Sequence, residues 1–123
     1  MQAYVSSAND QHPWLPFAIY LNDKVIGFTM IGYKPAENEL SADPCYAIFR
    51  FMIALEHQDK GYGKQALAKV IEKIREFPYG EAKAVFLSTK EGNHIGRKLF
   101  SSAGFVETGE LDEDGDALMR LEL

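Results

Sequence analysis

Runs of apolar residues separated by polar turns predict strands in the first half of the chain. Residues 17–20 and 25–31 form two such runs, joined around Asn22-Asp23, a pattern typical of an antiparallel hairpin. A polar loop follows at residues 34–44. Residues 46–55 are then rich in aromatic and aliphatic side chains, which predicts a strand buried on both faces for much of its length. We therefore expect three strands before the first helix.

A helical spacing of apolar residues begins after this third strand. It is carried by Leu67, Val70, Ile71, Ile74 and Phe77, and Pro78 and Gly80 are expected to end the helix. Residues 84–87 predict a strand, and residues 93–102 a short helix capped by Gly104. Residues 105–106 and 117–123 predict two closing strands around the turn at Asp114-Gly115. The order β-β-β-α-β-α-β-β predicts one α+β domain over residues 1–123, with a mixed, mostly antiparallel sheet and one β-α-β crossover.

Composition narrows the class of protein. The chain has 123 residues, 46% of them hydrophobic, which suits a single globular core. No apolar run approaches the roughly 20 residues that span a bilayer, and residues 1–10 lack the pattern of a signal peptide. A single cysteine, Cys45, and three scattered histidines offer no zinc-ligand spacing. We expect a cytoplasmic protein with no metal and no membrane partner.

The charge is distributed unevenly. A net charge of -5 argues against nucleic acid as a partner, because phosphate binding requires a basic surface. Residues 60–98 nevertheless carry nine Lys or Arg against four Asp or Glu, whereas the rest of the chain is strongly acidic. This asymmetry suggests two ligands of opposite sign; solvated surface charge explains it equally well.

The segment Gln58-Asp59-Lys60-Gly61-Tyr62-Gly63 lies between the third strand and the first helix. Amides at a helix N-terminus lack partners and attract anions, and two glycines allow the backbone to approach a phosphate closely. The alternative is a glycine-containing helix start with no ligand. A Walker motif is absent, and a match to GxGxxA at residues 61–66 lacks the repeated βαβ units of a dinucleotide-binding domain. The hypothesis that this is a nucleotide-binding protein of another class therefore rests on this loop alone.

Three motifs in order resemble the GNAT superfamily of acetyl-CoA-dependent N-acetyltransferases. Gln58, Gly61 and Gly63 match Q/R-x-x-G-x-G/A, and Phe51 and Ile53 supply the aliphatic or aromatic end of the preceding strand. Downstream, the family's N-x-x-A-x-x-L-Y followed by G-F is matched in part by Asn93, Gly96, Leu99, Phe100 and Gly104-Phe105. The ending at residues 109–112, with Gly115, is similar to the bacterial spermine/spermidine acetyltransferase branch.

The resemblance implies roles for particular residues. Gln58 would open a loop whose amides bind the coenzyme A pyrophosphate, and the backbone of Phe51 and Ile53 would pair with the pantetheine arm. The Ile53 amide would also polarise the thioester carbonyl, and Asn93 would hold the arm where the third and fourth strands splay apart. The amides concerned are those of Asp59, Lys60, Gly61, Tyr62, Gly63 and Lys64. The reaction implied is direct attack of a neutral amine on acetyl-CoA.

The chain departs from the family pattern in two places. Phe100 stands where the family commonly has a general-acid tyrosine, so it is assigned to the cofactor site, with core packing as the alternative. The family's first strand and first helix have no room before residue 17. The acceptor pocket would then be incomplete or completed by a second subunit, which predicts a homodimer. Candidates for the general base are Glu56, beside His57, and Tyr46 acting through a water.

The predicted function is acetyl transfer from acetyl-CoA to a primary amine of a small cationic acceptor, with polyamines as the candidate class. Acidic residues at Glu37, Glu39 and Asp43 and the cluster from Asp112 to Asp116 are expected to attract it. The alternative is a coenzyme-A-binding module of the same fold with little or no catalytic activity.

Overall fold

The computed structural model describes residues 2–3 and 14–123, and of residues 2, 3 and 14 the backbone only. Most of the N-terminal stretch considered above for a signal peptide lies outside the described residues. The described chain forms a seven-stranded sheet in the order β1-β2-β3-β4-β5-β7-β6. The strands are β1 (Gln2–Ala3), β2 (Trp14–Leu21), β3 (Lys24–Lys34), β4 (Cys45–Ile53), β5 (Ala84–Thr89), β6 (Val106–Leu111) and β7 (Ala117–Glu122).

Two helices follow the predicted periodicity. Helix α1 (Tyr62–Ile74) buries Leu67, Val70 and Ile74 along one stripe, and α2 (His94–Ser102) ends before Gly104, whose φ of 105° favours glycine. The predicted period continues to Phe77, but the helix does not, because Phe77 has a left-handed φ of 53°. In the described part of the chain no helix is long and apolar enough to cross a membrane.

Both helices pack on one face of the sheet. Leu67 and Val70 of α1 and Phe100 of α2 share a buried cluster with Ile48 of β4 and Leu87 of β5. A smaller cluster lies on the opposite face, formed by Cys45, Ala84, Phe86 and Leu118. Because side chains alternate along each strand, β4 and β5 contribute to both clusters.

The predicted fold class is confirmed. β4 and β5 are parallel and are joined through α1, and every other neighbouring pair is antiparallel. Two expectations are corrected. A first strand does exist, since Ala3 of β1 pairs with Phe17 of β2. Full burial of the third predicted strand ends at Ile48, and beyond it Phe51 and Ile53 are partly buried, because β5 pairs with β4 only between Cys45–Ala47 and Ala84–Phe86.

Candidate active site

The divergence of β4 from β5 opens the sheet. Beyond Ala47 the edge of β4 that faces β5 has no strand partner among the described residues. On its other edge, β4 carries an extra residue, because Met30 pairs with Arg50 and Ile31 with Ile48, which leaves Phe49 as a bulge. Gly32 makes room for the Phe49 ring, since a Cβ there would lie 2.5 Å from Phe49 Cε2. Bulges redirect side chains near functional sites.

The free edge of β4 carries the amides that the sequence singled out. Ala54 N–H donates to Ile26 O of β3 at 2.6 Å. Because backbone groups alternate in direction along a strand, the N–H groups of Phe51 and Ile53 face the opposite, open edge. The Ile53 carbonyl accepts a hydrogen bond from Gln58 Nε2 at 2.9 Å. Gln58 thus ties the end of β4 to the loop that follows.

The loop between β4 and α1 is shaped to receive an anion. Asp59 and Gly61 both have left-handed φ angles, 62° and 82°, and a Cβ on Gly61 would meet nothing within 4 Å. Within the described chain, the N–H groups of residues 59–64 make no hydrogen bond, and the first amide of α1 that does is Gln65, to Gly61 O. Six successive free amides at a helix N-terminus suit a pyrophosphate.

Asn93 and Gly63 connect the loop region with α2 and the open sheet. Asn93 caps α2, accepting a hydrogen bond from Gly96 N at 3.0 Å, and it also lines the cleft described below. A Cβ on Gly63 would lie 3.5 Å from Leu99 and 3.8 Å from Ile53, so α1, α2 and β4 converge here. The structure therefore brings the predicted cofactor residues of β4, the loop and α2 to one region.

A cleft of about 850 Å³ lies on the sheet face opposite the helices, floored by Ala47, Phe86 and Leu118. One wall is the turn between β6 and β7. We call its carboxylates the acidic hairpin: Glu110, Asp112, Glu113, Asp114 and Asp116. Carboxylate oxygens of Asp112, Asp114 and Asp116 lie within 4.8 Å of one another. The Asp112 carboxylate accepts from Asp116 N and Asp114 N, and these bonds lower its pKa.

The other acidic residues predicted to attract the acceptor lie in the β3–β4 loop. Glu39 lines the cleft and forms an ion pair with Lys34, which reduces its net attraction for a cation. Glu37 and Asp43 belong to the same β3–β4 loop but do not line the cleft. Their part in attracting the acceptor stays a prediction, and within the cleft the acidic hairpin supplies most of the negative charge.

Two predicted site residues belong to the core. Tyr46 is 0% exposed, and its hydroxyl accepts from Tyr79 N at 3.0 Å and donates to Gly80 O at 2.9 Å. Burial raises the pKa of this hydroxyl. A fully buried group cannot hold a water against the substrate, so the catalytic assignment of Tyr46 is corrected.

Phe100 is buried with its ring edge-on to Phe51 and Phe105, and it does not line the cleft. This packing does not support a cofactor contact through its side chain.

Glu56 lies on a short 3-10 turn, Leu55–His57, directly before the anion loop. Its side chain is exposed and does not line the cleft. Its carboxylate is 3.9 Å from His57 Nε2, a buried nitrogen with no hydrogen-bond partner in the described structure. Glu56 therefore lies beside the predicted cofactor loop, and its role as general base stays a prediction.

Two cleft residues escaped the sequence reasoning. Arg50 and Lys90 line the cleft, one on the bulged part of β4 and the other directly after β5. The signal for Arg50 was present, because it is the one charged residue in an otherwise apolar strand. Lys90 did not stand out in the sequence, because it lies in a segment that contains many lysines.

Comparison with known proteins agrees with this geometry. The family model described as "Acetyltransferase (GNAT) family" matches residues 2–105. The spermine/spermidine N(1)-acetyltransferase of Bacillus subtilis (strain 168) is 31% identical over 119 residues, covering 97% of this chain and 77% of the relative. A probable spermine N(1)-acetyltransferase of Bacillus subtilis subsp. natto matches equally well.

Solved structures share the fold. A GNAT family acetyltransferase from Elizabethkingia anophelis with acetyl-CoA bound has a TM-score of 0.67 at 18% identity, covering 99% of this chain and 97% of that one. The PaiA N-acetyltransferase from Thermoplasma acidophilum in complex with coenzyme A has a TM-score of 0.65 at 18% identity; the match covers 91% of this chain but 61% of that one. The predicted resemblance, enzyme class and acetyl-CoA co-substrate are confirmed. The chain belongs to the GNAT family of acetyltransferases.

Proposed function

We propose that this protein transfers the acetyl group of acetyl-CoA to a primary amine of a small polycationic acceptor of the polyamine class. The observation that carries the proposal is the acidic hairpin, whose carboxylates converge on one wall of an open cleft. Converging carboxylates attract ammonium groups and raise their local concentration. The relationship to a spermine/spermidine acetyltransferase supports the same class of acceptor.

The reaction requires little covalent chemistry from the protein. When bound, acetyl-CoA supplies a thioester that a neutral amine attacks directly: the N–C bond forms, the C–S bond breaks, the thiolate leaves and the amine proton passes to solvent. The amides of residues 59–64 would hold the pyrophosphate. The open-edge N–H groups of Phe51 and Ile53 would align the pantetheine arm, and that of Ile53 would stabilise the charge that develops on the carbonyl oxygen.

The test is a panel of amines measured at several ionic strengths. We expect kcat/KM for spermidine to exceed that for neutral or anionic amines, and the spermidine KM to rise with salt, because such attraction is screened within about 8–10 Å. The double variant Glu113→Gln, Asp114→Asn should raise the spermidine KM about tenfold at low salt. Its control is Glu72→Gln on α1 combined with Glu76→Gln just after that helix, both outside the cleft. Preference for a neutral amine, or equal effects of both double variants, would contradict the proposal.

A coenzyme-A-binding module without turnover is the second candidate. One observation favours it: the residue at the family's acid position, Phe100, has no hydroxyl, and the Tyr46 hydroxyl is buried and already hydrogen bonded. Calorimetry that detects coenzyme A binding, together with no turnover of any amine in the panel, would establish this candidate instead.

We also propose that the enzyme is a cytoplasmic homodimer. Cys45 is a buried free thiol, which suits a reducing compartment. Apolar side chains exposed at one end of the β3–β4 ladder, namely Val25, Met52 and Leu55, offer a surface for a second copy.

A further inference from the structure

The cleft carries opposite charges on its two sides. Arg50 lines it from β4, and the acidic hairpin lines it from the turn between β6 and β7, with β5 between them in the sheet order. The Arg50 guanidinium, which is exposed, forms no ion pair within the described structure, whereas Arg97 and Arg120 pair with Glu107 and Glu122. Arg50 is therefore an unpaired cation in a cleft that we propose binds a cationic acceptor.

Arg50 lies beside the proposed reaction centre. It directly precedes Phe51, whose amide faces the open edge of β4, and it is three residues from Ile53, about 10 Å along an extended strand. The hydroxyl of Thr29, a fully buried residue, donates to Arg50 O at 2.6 Å, which fixes the backbone at the bulge. The backbone of Arg50 is therefore fixed next to the amides proposed to align the thioester.

We propose that Arg50 is a positioning residue that keeps the reacting amine of the acceptor uncharged and turns the acceptor's remaining ammonium groups toward the acidic hairpin. This inference rests on the proposed function. Only a neutral amine can attack, and a like charge nearby disfavours the ammonium form. Beside the acidic hairpin the carboxylates outnumber the one nearby lysine, Lys90, so ammonium groups are attracted there.

The other charges that face the cleft are consistent with this polarity. Lys90 directly follows Thr89, which pairs with Ala117 beside the acidic hairpin, so it offsets part of the negative charge there. Lys34 and Glu39 form an ion pair, so together they add little net charge. The five carboxylates outnumber Lys90 on the hairpin side, and Arg50 is positive on the β4 side. The field therefore changes sign across the cleft, and a polycation has one favoured orientation in it.

The test is the pH profile of kcat for spermidine at saturating acetyl-CoA. In Arg50→Gln we expect the apparent pKa of kcat to rise by about one unit, so that kcat at pH 7 falls about tenfold and approaches the wild-type value at high pH. The spermidine KM at pH 7 should fall, because repulsion is removed. Arg50→Lys keeps the charge and should retain the wild-type profile. The matched control is Arg75→Gln, at the end of α1, which removes an arginine outside the cleft.

Two results would overturn the inference while leaving the proposed function intact. One is a loss of kcat by the same factor at every pH in Arg50→Gln, which a structural defect would cause. The other is a profile that does not move although spermidine is acetylated. If the wild-type protein turned over no amine at all, the proposed function would fail and this inference with it.

Discussion

At the scale of single residues, the anion loop depends on backbone conformation rather than on side-chain charge. Asp59 and Gly61 both adopt left-handed φ angles, which turns successive N–H groups toward the same side. Lysine side chains nearby add positive potential, but the free amides of residues 59–64 would provide the directional contacts to a bound anion. Backbone room at Gly61 is therefore the feature to test.

Gly61→Glu should abolish coenzyme A binding without unfolding the protein. A Cβ at Gly61 meets nothing within 4 Å, so the side chain projects into the space left for the pyrophosphate and places a carboxylate against it. We expect at least a tenfold loss of affinity, about 1.4 kcal/mol or more, measured by calorimetry. Gly109→Glu is the matched control, with a φ of 87°, no atom within 4 Å of its Cβ and a place outside the cleft. Equal affinities in the two variants would remove the loop assignment.

A residue's environment could be predicted from the sequence where it depends on neighbours along the chain, and not where it depends on distant residues. The loop from Gln58 to Gly63 and the helix that it opens were predictable, because a helix start with glycines is a local motif. The burial of Tyr46 was not, since its hydroxyl is held by Tyr79 and Gly80, more than 30 residues away. The packing of Phe100 was not predictable for the same reason: only the fold brings Phe51 and Phe105 against its ring.

At the scale of elements, the turn between β6 and β7 is organised by one carboxylate. The Asp112 side chain accepts from Asp114 N and Asp116 N, each at 2.9 Å, and the backbone of Asp112 donates to Asp116 O and accepts from Gly115 N. The strong negative charge of the acidic hairpin is thus held in one geometry, although most of its members are exposed.

Asp112→Ala should lower Tm at pH 7 and raise the spermidine KM, because the hairpin loses both bonds. The pKa of Asp112 is lowered below its ordinary 3.8 in the folded protein. A lowered folded-state pKa stabilises the protein fully above the unfolded value, and this stabilisation is lost as pH falls through the folded value. The Tm difference between wild type and Asp112→Ala should therefore be constant above about pH 5 and shrink below pH 3.8. A difference that grows on acidification would refute this reading; thermal melts over pH 2.5–7 would decide.

The order of elements was predictable from periodicity and turns, and most ends agree to within two or three residues. The bulge at Phe49 was not, because it exists only in the register between β3 and β4, where Met30 and Ile31 oppose Arg50 and Ile48. The divergence of β4 from β5 also depends on pairing across the α1 crossover. These two long-range features create the cleft, so the acceptor side of the site was less predictable than the cofactor loop.

At the scale of the whole molecule, the apolar end of the β3–β4 ladder offers a surface for a second copy. Met52 is 55% exposed, Leu55 is 83% exposed and Val25 is 53% exposed, and Ala54 N bonds Ile26 O between these two segments. We expect light scattering to report a dimer at micromolar concentration. The double variant Met52→Lys, Leu55→Lys should shift it to monomer, because two charges in an apolar contact are costly to bury. A control at Ile95→Lys, which is 75% exposed on α2, should leave the dimer intact. A wild-type monomer would contradict the proposal.

The edge strand β6 is protected against pairing with a second molecule. All of its side chains are exposed, and its ladder to β7 is interrupted between Glu107 and Leu111. Charges and irregular pairing on an edge keep one molecule from adding its strand to the next. Glu110 therefore serves two purposes, as part of the acidic hairpin and as a guard against aggregation. Neutralising the carboxylates of this turn to admit uncharged amines would also lower the colloidal stability of the protein. Substrate range and resistance to aggregation would therefore have to be optimised together.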